Sequence, residues 1–364
     1  MRGEYQYKRV VVKIGSNVLT RADGTLDTTR MSALVDQIAE LHRSGVEVIM
    51  VSSGAVASGR SEMRGSVHRL DPVSARQLFS AVGQVKLINR YYNLFREQDI
   101  VCGQVLTAKE NLSTRRHYLN QRNCMHAMLA NGVIPIVNEN DTISVTELMF
   151  TDNDELSGLI STMMDAEALI ILSNIDGIYN GDPSDPSSEV IREIRSGKED
   201  LTQYIRTQKS EFGRGGMLTK SRIACKVADE GVEVVIANGK RDNVLLDVLD
   251  RESDLICTRF LPSSHTISGV KKWIAHSDGF TKGEIYINEG AYEALLSPRA
   301  VSLLPVGVSR IEGEFEKDDV VRIMSPEGVA IGVGRVGADS GKARAMIGKK
   351  GARALIHYDY LYLD

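Results

Sequence analysis

Short apolar runs alternate with amphipathic stretches along the chain to about residue 260. The runs are "RVVVKIG" (9–15), "VEVIMVSSGA" (46–55), "IVCGQVL" (100–106), "VIPIVNEN" (133–140), "ALIILSNIDGI" (168–178) and "VEVVIANG" (232–239). They are apolar almost throughout rather than at every second residue, which is the pattern of strands buried on both faces. Between the first two, "DTTRMSALVDQIAELHRSG" sets Met31, Leu34, Ile38 and Leu41 at helical spacing, with Gly45 as a C-cap. "SARQLFSAVGQVKLINRYYNLFREQ", "NQRNCMHAMLANG" and "LTKSRIACKVADEG" predict further helices. The alternation predicts an α/β fold: a mostly parallel sheet sandwiched by helices. Such sheets bind ligands at the carboxyl ends of their strands, beside helix N-termini. Lys13, "SSGA", "NEND" and "SNIDG" all follow apolar runs, so all belong to that one edge.

From Gly283 the texture changes to short alternating segments, "GEIYIN", "DVVRIMS", "GVAIGVGRV" and "ALIHYDYLYL", separated by turn signals such as "PEG" and "ADSGK". One helix fits "NEGAYEALLS". The expected organisation is an α/β domain over 1–262, a linker over 263–280 and a small β-rich domain over 281–364.

Composition narrows the function classes. Lys and Arg number 44 against 48 Asp and Glu, a formal net charge of −4 that argues against a dedicated nucleic-acid binder. The N-terminus "MRGEYQYKR" lacks an apolar signal core, and no apolar run is long enough to span a bilayer. Cys102, Cys124, Cys225 and Cys257 form no CxxC pair, so reduced, mostly buried thiols and a cytosolic compartment are expected.

The polar residues at the predicted edge carry the chemistry. Lys13 ends a buried strand, and a buried ammonium is costly unless it meets an anion. Gly15 and Gly54 let backbone approach a ligand. In "VSSGAVASG" the small residues serve either tight strand–helix packing or, through Ser52 and Ser53, the holding of a carboxylate or phosphate. "NEND" (138–141) and "TDNDE" (151–155) are either helix caps or a cluster suited to an ammonium group or Mg²⁺. They contain no His or Cys, which disfavours a transition metal. "GRGGMLTK" (213–220) runs into a helix with Lys220 in its first turn and resembles a phosphate cradle, although Thr219 before the lysine departs from the P-loop pattern. "GVGRVG" (332–337) matches GxGxxG but lies in the β-rich tail, so a strand and turn is expected there. Two lysines, acidic residues and a glycine-rich loop without a P-loop point to phosphoryl transfer, where positioning and charge neutralisation dominate.

The set "VVKIGSNVLT", "VSSGAVASGR", "PIVNENDTIS", "TDNDELSGLIS" and "FGRGGMLTK", in this order, resembles the amino acid kinase family, and the tail resembles a PUA domain. The resemblance implies ATP-dependent phosphorylation of the γ-carboxylate of L-glutamate, with Mg²⁺ on the ATP phosphates, as the step that opens proline biosynthesis. It implies that Lys13, Lys220 and Asp154 are catalytic, Asp154 holding the two lysines in register. Ser53, Asp141 and Asn153 would bind glutamate. Lys13, Gly15, Ser173, Asn174 and the segment Arg214, Gly215, Gly216, Met217, Leu218, Thr219, Lys220 would contact ATP. Ser173 and Asn174 stand where the family pattern has Thr-Asp. The resemblance also implies a homo-oligomer and feedback inhibition by proline, and the chain's end at Asp364 implies no fused reductase.

Other acceptors used within the family, among them aspartate, N-acetylglutamate, carbamate and nucleoside monophosphates, remain open at this stage. A second class is RNA binding through the tail, whose "GKARAMIGKKGAR" is basic; a solvated loop is the expectation there.

Overall fold

The computed structural model describes residues 5–64, 70–112, 115–143, 153–183, 185–195, 217–263, 274, 281–297 and 301–363. The chain divides into two compact units, Met1–Ala108 with Gln121–Thr266, and Lys109–Asn120 with Ile267–Asp364.

In the first unit the six apolar runs form β1 (Arg9–Ile14), β2 (Glu47–Ser52), β3 (Cys102–Thr107), β4 (Ile134–Glu139), β5 (Ala168–Ser173) and, after β6 (Glu193–Arg195), β7 (Glu233–Asn238). With β8 (Thr258–Leu261) they build an eight-stranded sheet of order β3-β4-β2-β1-β5-β7-β8-β6. The pairings from β3 to β7 are parallel, and β8 joins β7 antiparallel. The expected mostly parallel sheet is therefore present. The chain leaves β1 towards β2 on one side and later returns to β5 on the other. The β1–β5 boundary is thus the topological switch point, where open sheets of this kind place ligands.

The helices of this unit are α1 (Ser16–Leu19), α2 (Thr28–Arg43), α3 (Ala55–Glu62), α4 (Pro72–Glu97), α5 (Arg115–Ala130, which runs across the division of the chain), α6 (Asn153–Met163), α7 (Met217–Asp229) and α8 (Val244–Leu249). The stripe predicted for α2 is realised: Met31, Leu34, Ile38 and Leu41 are fully buried. Gly45 ends that helix with φ 86°, and Val46 N–H returns to Leu41 C=O at 3.0 Å. Alternation along β1 splits its side chains. Val10, Val12 and Ile14 join the core beneath α2, α4 and α8, while Lys13 points to the opposite face, where α6 lies against the sheet.

Helices α3 and α4 meet backbone to backbone. A Cβ on Gly59 would stand 1.9 Å from Phe79 C=O, and one on Gly83 would stand 1.8 Å from Ala55 C=O. Since Gly54, in the left-handed conformation at φ 104°, caps α3 two residues after β2 ends, this contact fixes α4 beside the carboxyl end of the sheet.

The second unit contains a five-stranded sheet of order β10-β9-β11-β12-β13, formed by β9 (Gly283–Ile287), β10 (Val308–Gly313), β11 (Val320–Met324), β12 (Ala330–Arg335) and β13 (Leu361–Leu363). Its core includes Ile285, Ile311, Val321, Ile323 and Ile356. Helix α9 (Glu289–Leu296) occupies the predicted "NEGAYEALLS", and "GVGRVG" is strand followed by turn, as expected. The basic run is not a loop throughout: Ser340–Met346 is helix α10, because Asp339 caps it by accepting from Lys342 N–H at 2.9 Å. All four cysteines are free; Cys257 is buried, Cys102 and Cys225 are half-buried and Cys124 is exposed, so fewer thiols are buried than expected. Among the described residues no helix is long and apolar enough to cross a membrane.

Candidate active site

Lys13, the last but one residue of β1, is buried because its neighbours in the sheet are Val51 and Ile171. Its ammonium meets Asp154 in the first turn of α6: Lys13 Nζ lies 2.5 Å from Asp154 Oδ1. Lys220, in the first turn of α7, lies 2.7 Å from the other oxygen, Oδ2. One fully buried carboxylate thus spaces two ammoniums at the switch point. Burial alone pushes the Asp154 carboxyl up, but Lys13 and then Lys220 outweigh it and hold it below the usual carboxylate range. The N-terminal end of α6 favours the same ionised form. The triplet carries one net positive charge, and both lysines remain partly accessible, at 6% and 13%. The arrangement can neutralise phosphoryl oxygens.

Beside this triplet is a cluster of amides and acids. Asn153, the first residue of α6, donates its Nδ2 to Ser53 Oγ at 2.9 Å and to Asn138 Oδ1 at 3.0 Å. Asn138 Nδ2 in turn donates to Gln84 Oε1 on α4 at 2.8 Å. Asp141 is 6% exposed and is held by Arg76 and Ser80, also from α4. Ser52, unlike Ser53, turns into the core, where its hydroxyl pairs with Tyr91 OH at 3.0 Å. In "VSSGA" the packing purpose is seen at Ala55, which is buried, and Ser52 joins it in the core, while Ser53 accepts from Asn153 Nδ2.

On the β5 side, Gly15 N–H donates to Leu172 C=O at 3.2 Å, and Gly239 N–H donates to Ser173 C=O at 2.8 Å. Ser173 is buried and Asn174 exposed, their side chains 3.5 Å apart. Close by, Arg241 grips Asp176 through two contacts of 2.7 and 2.8 Å, and Asn238 Nδ2 adds a third at 3.0 Å. The Arg241 hydrogen bonds keep the Asp176 carboxyl below its usual range.

The structure therefore brings Lys13, Asp154 and Lys220 into one cluster, Ser53 and Asn153 into direct contact, and Asp141 into a second carboxylate site. Ser173, Asn174 and Gly15 lie at the ends of β5 and β1. Met217, Leu218 and Thr219 open α7 together with Lys220, whereas Arg214, Gly215 and Gly216 fall outside the described residues. Sequence reasoning missed Arg76, Ser80, Gln84, Asp176 and Arg241. For the first three a signal existed: polar residues at every fourth position of a helix otherwise read for its apolar face.

Comparison with known proteins accords with this geometry. Residues 8–238 match the amino acid kinase family and residues 283–358 the PUA domain. The chain belongs to the amino acid kinase family. Its relatives include a glutamate 5-kinase of Bacteroides thetaiotaomicron, 69% identical over 359 residues that cover 99% of each chain. Another, the glutamate 5-kinase of Chlorobaculum tepidum, is 47% identical and covers 98% of each chain. A third, from Trichlorobacter lovleyi, is 37% identical, covering 99% of this chain and 94% of its own.

Proposed function

We propose that this protein transfers the γ-phosphoryl group of ATP to the γ-carboxylate of L-glutamate, forming L-glutamyl 5-phosphate at the head of proline biosynthesis in the cytoplasm. The observation that carries the reading is the buried Lys13–Asp154–Lys220 triplet beside a cluster of hydrogen-bonded amides and acids. The full-length likeness to glutamate 5-kinases supports the choice of acceptor.

The chemistry asks little of proton transfer. A γ-carboxylate with a pKa near ~4.3 is ionised at neutral pH, so it attacks without a general base. The barrier is the approach of one anion to another. Lys13 and Lys220 lower it by holding oxygens of the transferring group from two sides. Asp154 keeps the ammoniums separated and oriented, so little reorganisation is left for the moment of reaction. Ser53, Asn153 and Asp141 hold the amino acid, while Gly15, Ser173, Asn174 and the start of α7 receive the nucleotide. Mg²⁺ would sit on the ATP phosphates and add charge neutralisation, since each oxygen of Asp154 already faces a lysine. By the family resemblance, the reading extends to domains over 1–262 and 281–364, a homo-oligomer and inhibition by proline.

The test is acyl-phosphate trapping. Purified protein with ATP, Mg²⁺ and hydroxylamine is offered glutamate, aspartate or N-acetylglutamate. Hydroxamate from glutamate alone is the expected result; product from another acceptor would move the substrate, and none from any would overturn the reading.

A further inference from the structure

Gln84, Asn138, Asn153 and Ser53 form a chain of hydrogen bonds that runs from α4 to the residues read as holding the acceptor. Asn138, near the end of β4, is 3% exposed, and its amide bonds in one direction only. Glu139 N–H donates to Asn138 Oδ1 at 2.9 Å, and a backbone N–H can only donate, so that atom is the oxygen. The nitrogen then faces Gln84, and Nδ2 donates to Gln84 Oε1 at 2.8 Å. Asn153 meets the same Asn138 oxygen and does so with its own Nδ2, at 3.0 Å. That nitrogen also donates to Ser53 Oγ at 2.9 Å and approaches Ser52 C=O at 3.3 Å, so its hydrogens are used up. Among the described residues the Ser53 hydroxyl proton has no acceptor and Asn153 Oδ1 has no donor, and both side chains are half-buried. The chain thus ends in one donor and one acceptor. A zwitterionic amino acid calls for such a pair, since its carboxylate oxygens accept and its ammonium donates.

We propose that Gln84 is the positioning residue that keeps this direction of hydrogen bonding. The proposal rests on the reading of Ser53 and Asn153 as acceptor-binding residues and deepens it: Gln84 acts on the acceptor through Asn138 and Asn153 without touching it. Without Gln84 Oε1 the amino group of Asn138 is buried with no partner, a state costly enough to turn the side chain out of its orientation. Asn153 then loses the oxygen that aims it, and Ser53 loses its fixed donor. Asp154, next in sequence, is held separately by Lys13 and Lys220, so the lysine pair keeps its own spacer. Gln84 is placed by its neighbour Gly83, where Ala55 C=O stands 1.8 Å from the site of a Cβ. Its Nε2 has no partner among the described residues, so the role belongs to the oxygen alone.

The experiment uses the full chain and the hydroxamate assay. Wild-type enzyme is measured first, and absence of glutamyl hydroxamate at that stage fails the underlying reading, whatever stands at position 84. With an active wild type, Gln84→Leu removes the acceptor, Gln84→Glu keeps one at the same reach, and Gln84→Lys puts a donor in its place. In Gln84→Leu the KM for glutamate is expected to rise about tenfold, the scale of one buried donor left unpaired. In Gln84→Lys it should rise at least as far, and in Gln84→Glu it should stay within about threefold of wild type. kcat at saturating glutamate and the KM for ATP should hold within about threefold in all three. If Gln84→Leu does not fold, the contrast between Gln84→Glu and Gln84→Lys carries the test. A glutamate KM within about twofold of wild type in the variant that lacks the acceptor overturns the proposal. So does a Gln84→Glu enzyme as impaired as that variant, which would make the role one of shape, or a loss of kcat in parallel with the rise in KM, which would make it one of general packing.

Discussion

Replacing Asp154 with Asn probes the lysine pair directly. The substitution keeps shape and removes one negative charge from between two ammoniums, raising the net charge of the cluster from one positive unit to two. With the nitrogens roughly 5–7 Å apart across a single carboxylate, and an effective dielectric near 20, the released repulsion is about 2–3 kcal/mol. The ammoniums relieve it by swinging apart, and a displacement of about 1 Å from productive geometry costs on the order of 10²-fold in rate. The expected outcome is a fall in kcat of about 10²–10³-fold. Nucleotide binding should not fall with it, because the more positive cluster still attracts phosphate. The assay pairs hydroxamate formation with the thermal shift induced by ATP in wild type and Asp154→Asn. A kcat within about threefold of wild type would refute the positioning role. Parallel loss of the ATP-induced shift would refute the charge argument and make Asp154 a direct holder of nucleotide.

The same group has a pH signature. Because the folded-state carboxyl lies below its ordinary value, its ionised form stabilises the fold at every pH above the unfolded value of about 3.9, and that contribution fades only as pH falls towards the folded value. The difference in urea midpoint between wild type and Asp154→Asn should therefore be constant from about pH 5 to 8; a trend across that window would contradict the assignment. Lys13→Met should lower kcat by about 10²-fold or more with an unchanged circular dichroism spectrum, and near-normal turnover would remove Lys13 from the chemistry. Gly83→Ala forces a methyl into the α3–α4 contact and should cost about 3 kcal/mol or more, read as a fall in Tm of roughly 6–12 °C. Arg259→Met leaves Glu233 and Tyr7 without their shared donor at the far edge of the sheet, and should cost about 1–3 kcal/mol in urea denaturation while kcat and KM stay put.

What was legible in the sequence follows from locality. β1, β2, β4, β5 and β7 announce themselves because parallel strands covered on both faces are uninterrupted apolar runs. β6, with one buried residue between two exposed ones, offers no such run; β8 has only four residues, and β10 is irregular in pattern. Helix α10 was hidden because "ADSGK" reads equally as a turn and as an N-cap. Lys13, Ser53, Asp141, Asn153, Asp154 and Lys220 lie in motifs at or just beyond strand ends and helix starts, and the family resemblance picked them out of those motifs. The spacing of Arg76, Ser80 and Gln84 marks a polar stripe on a helix but not what it meets, because their partners lie 65, 61 and 54 residues away.

The crossing of Gly59 and Gly83 sets a mechanical limit on the face of α4 that carries Arg76, Ser80 and Gln84. Where helices meet through side chains, rotamers act as cushions and absorb small changes. Here a carbonyl oxygen occupies the space a methyl would need on either helix, so there is no cushion. The placement of Arg76, Ser80 and Gln84 is inherited from bond lengths and helical rise rather than from side-chain fit. Any shift of α4 moves every member of the stripe together. A substitution on this face of α4 thus exchanges one side chain at a fixed position, with no gradual relaxation of the scaffold beneath it.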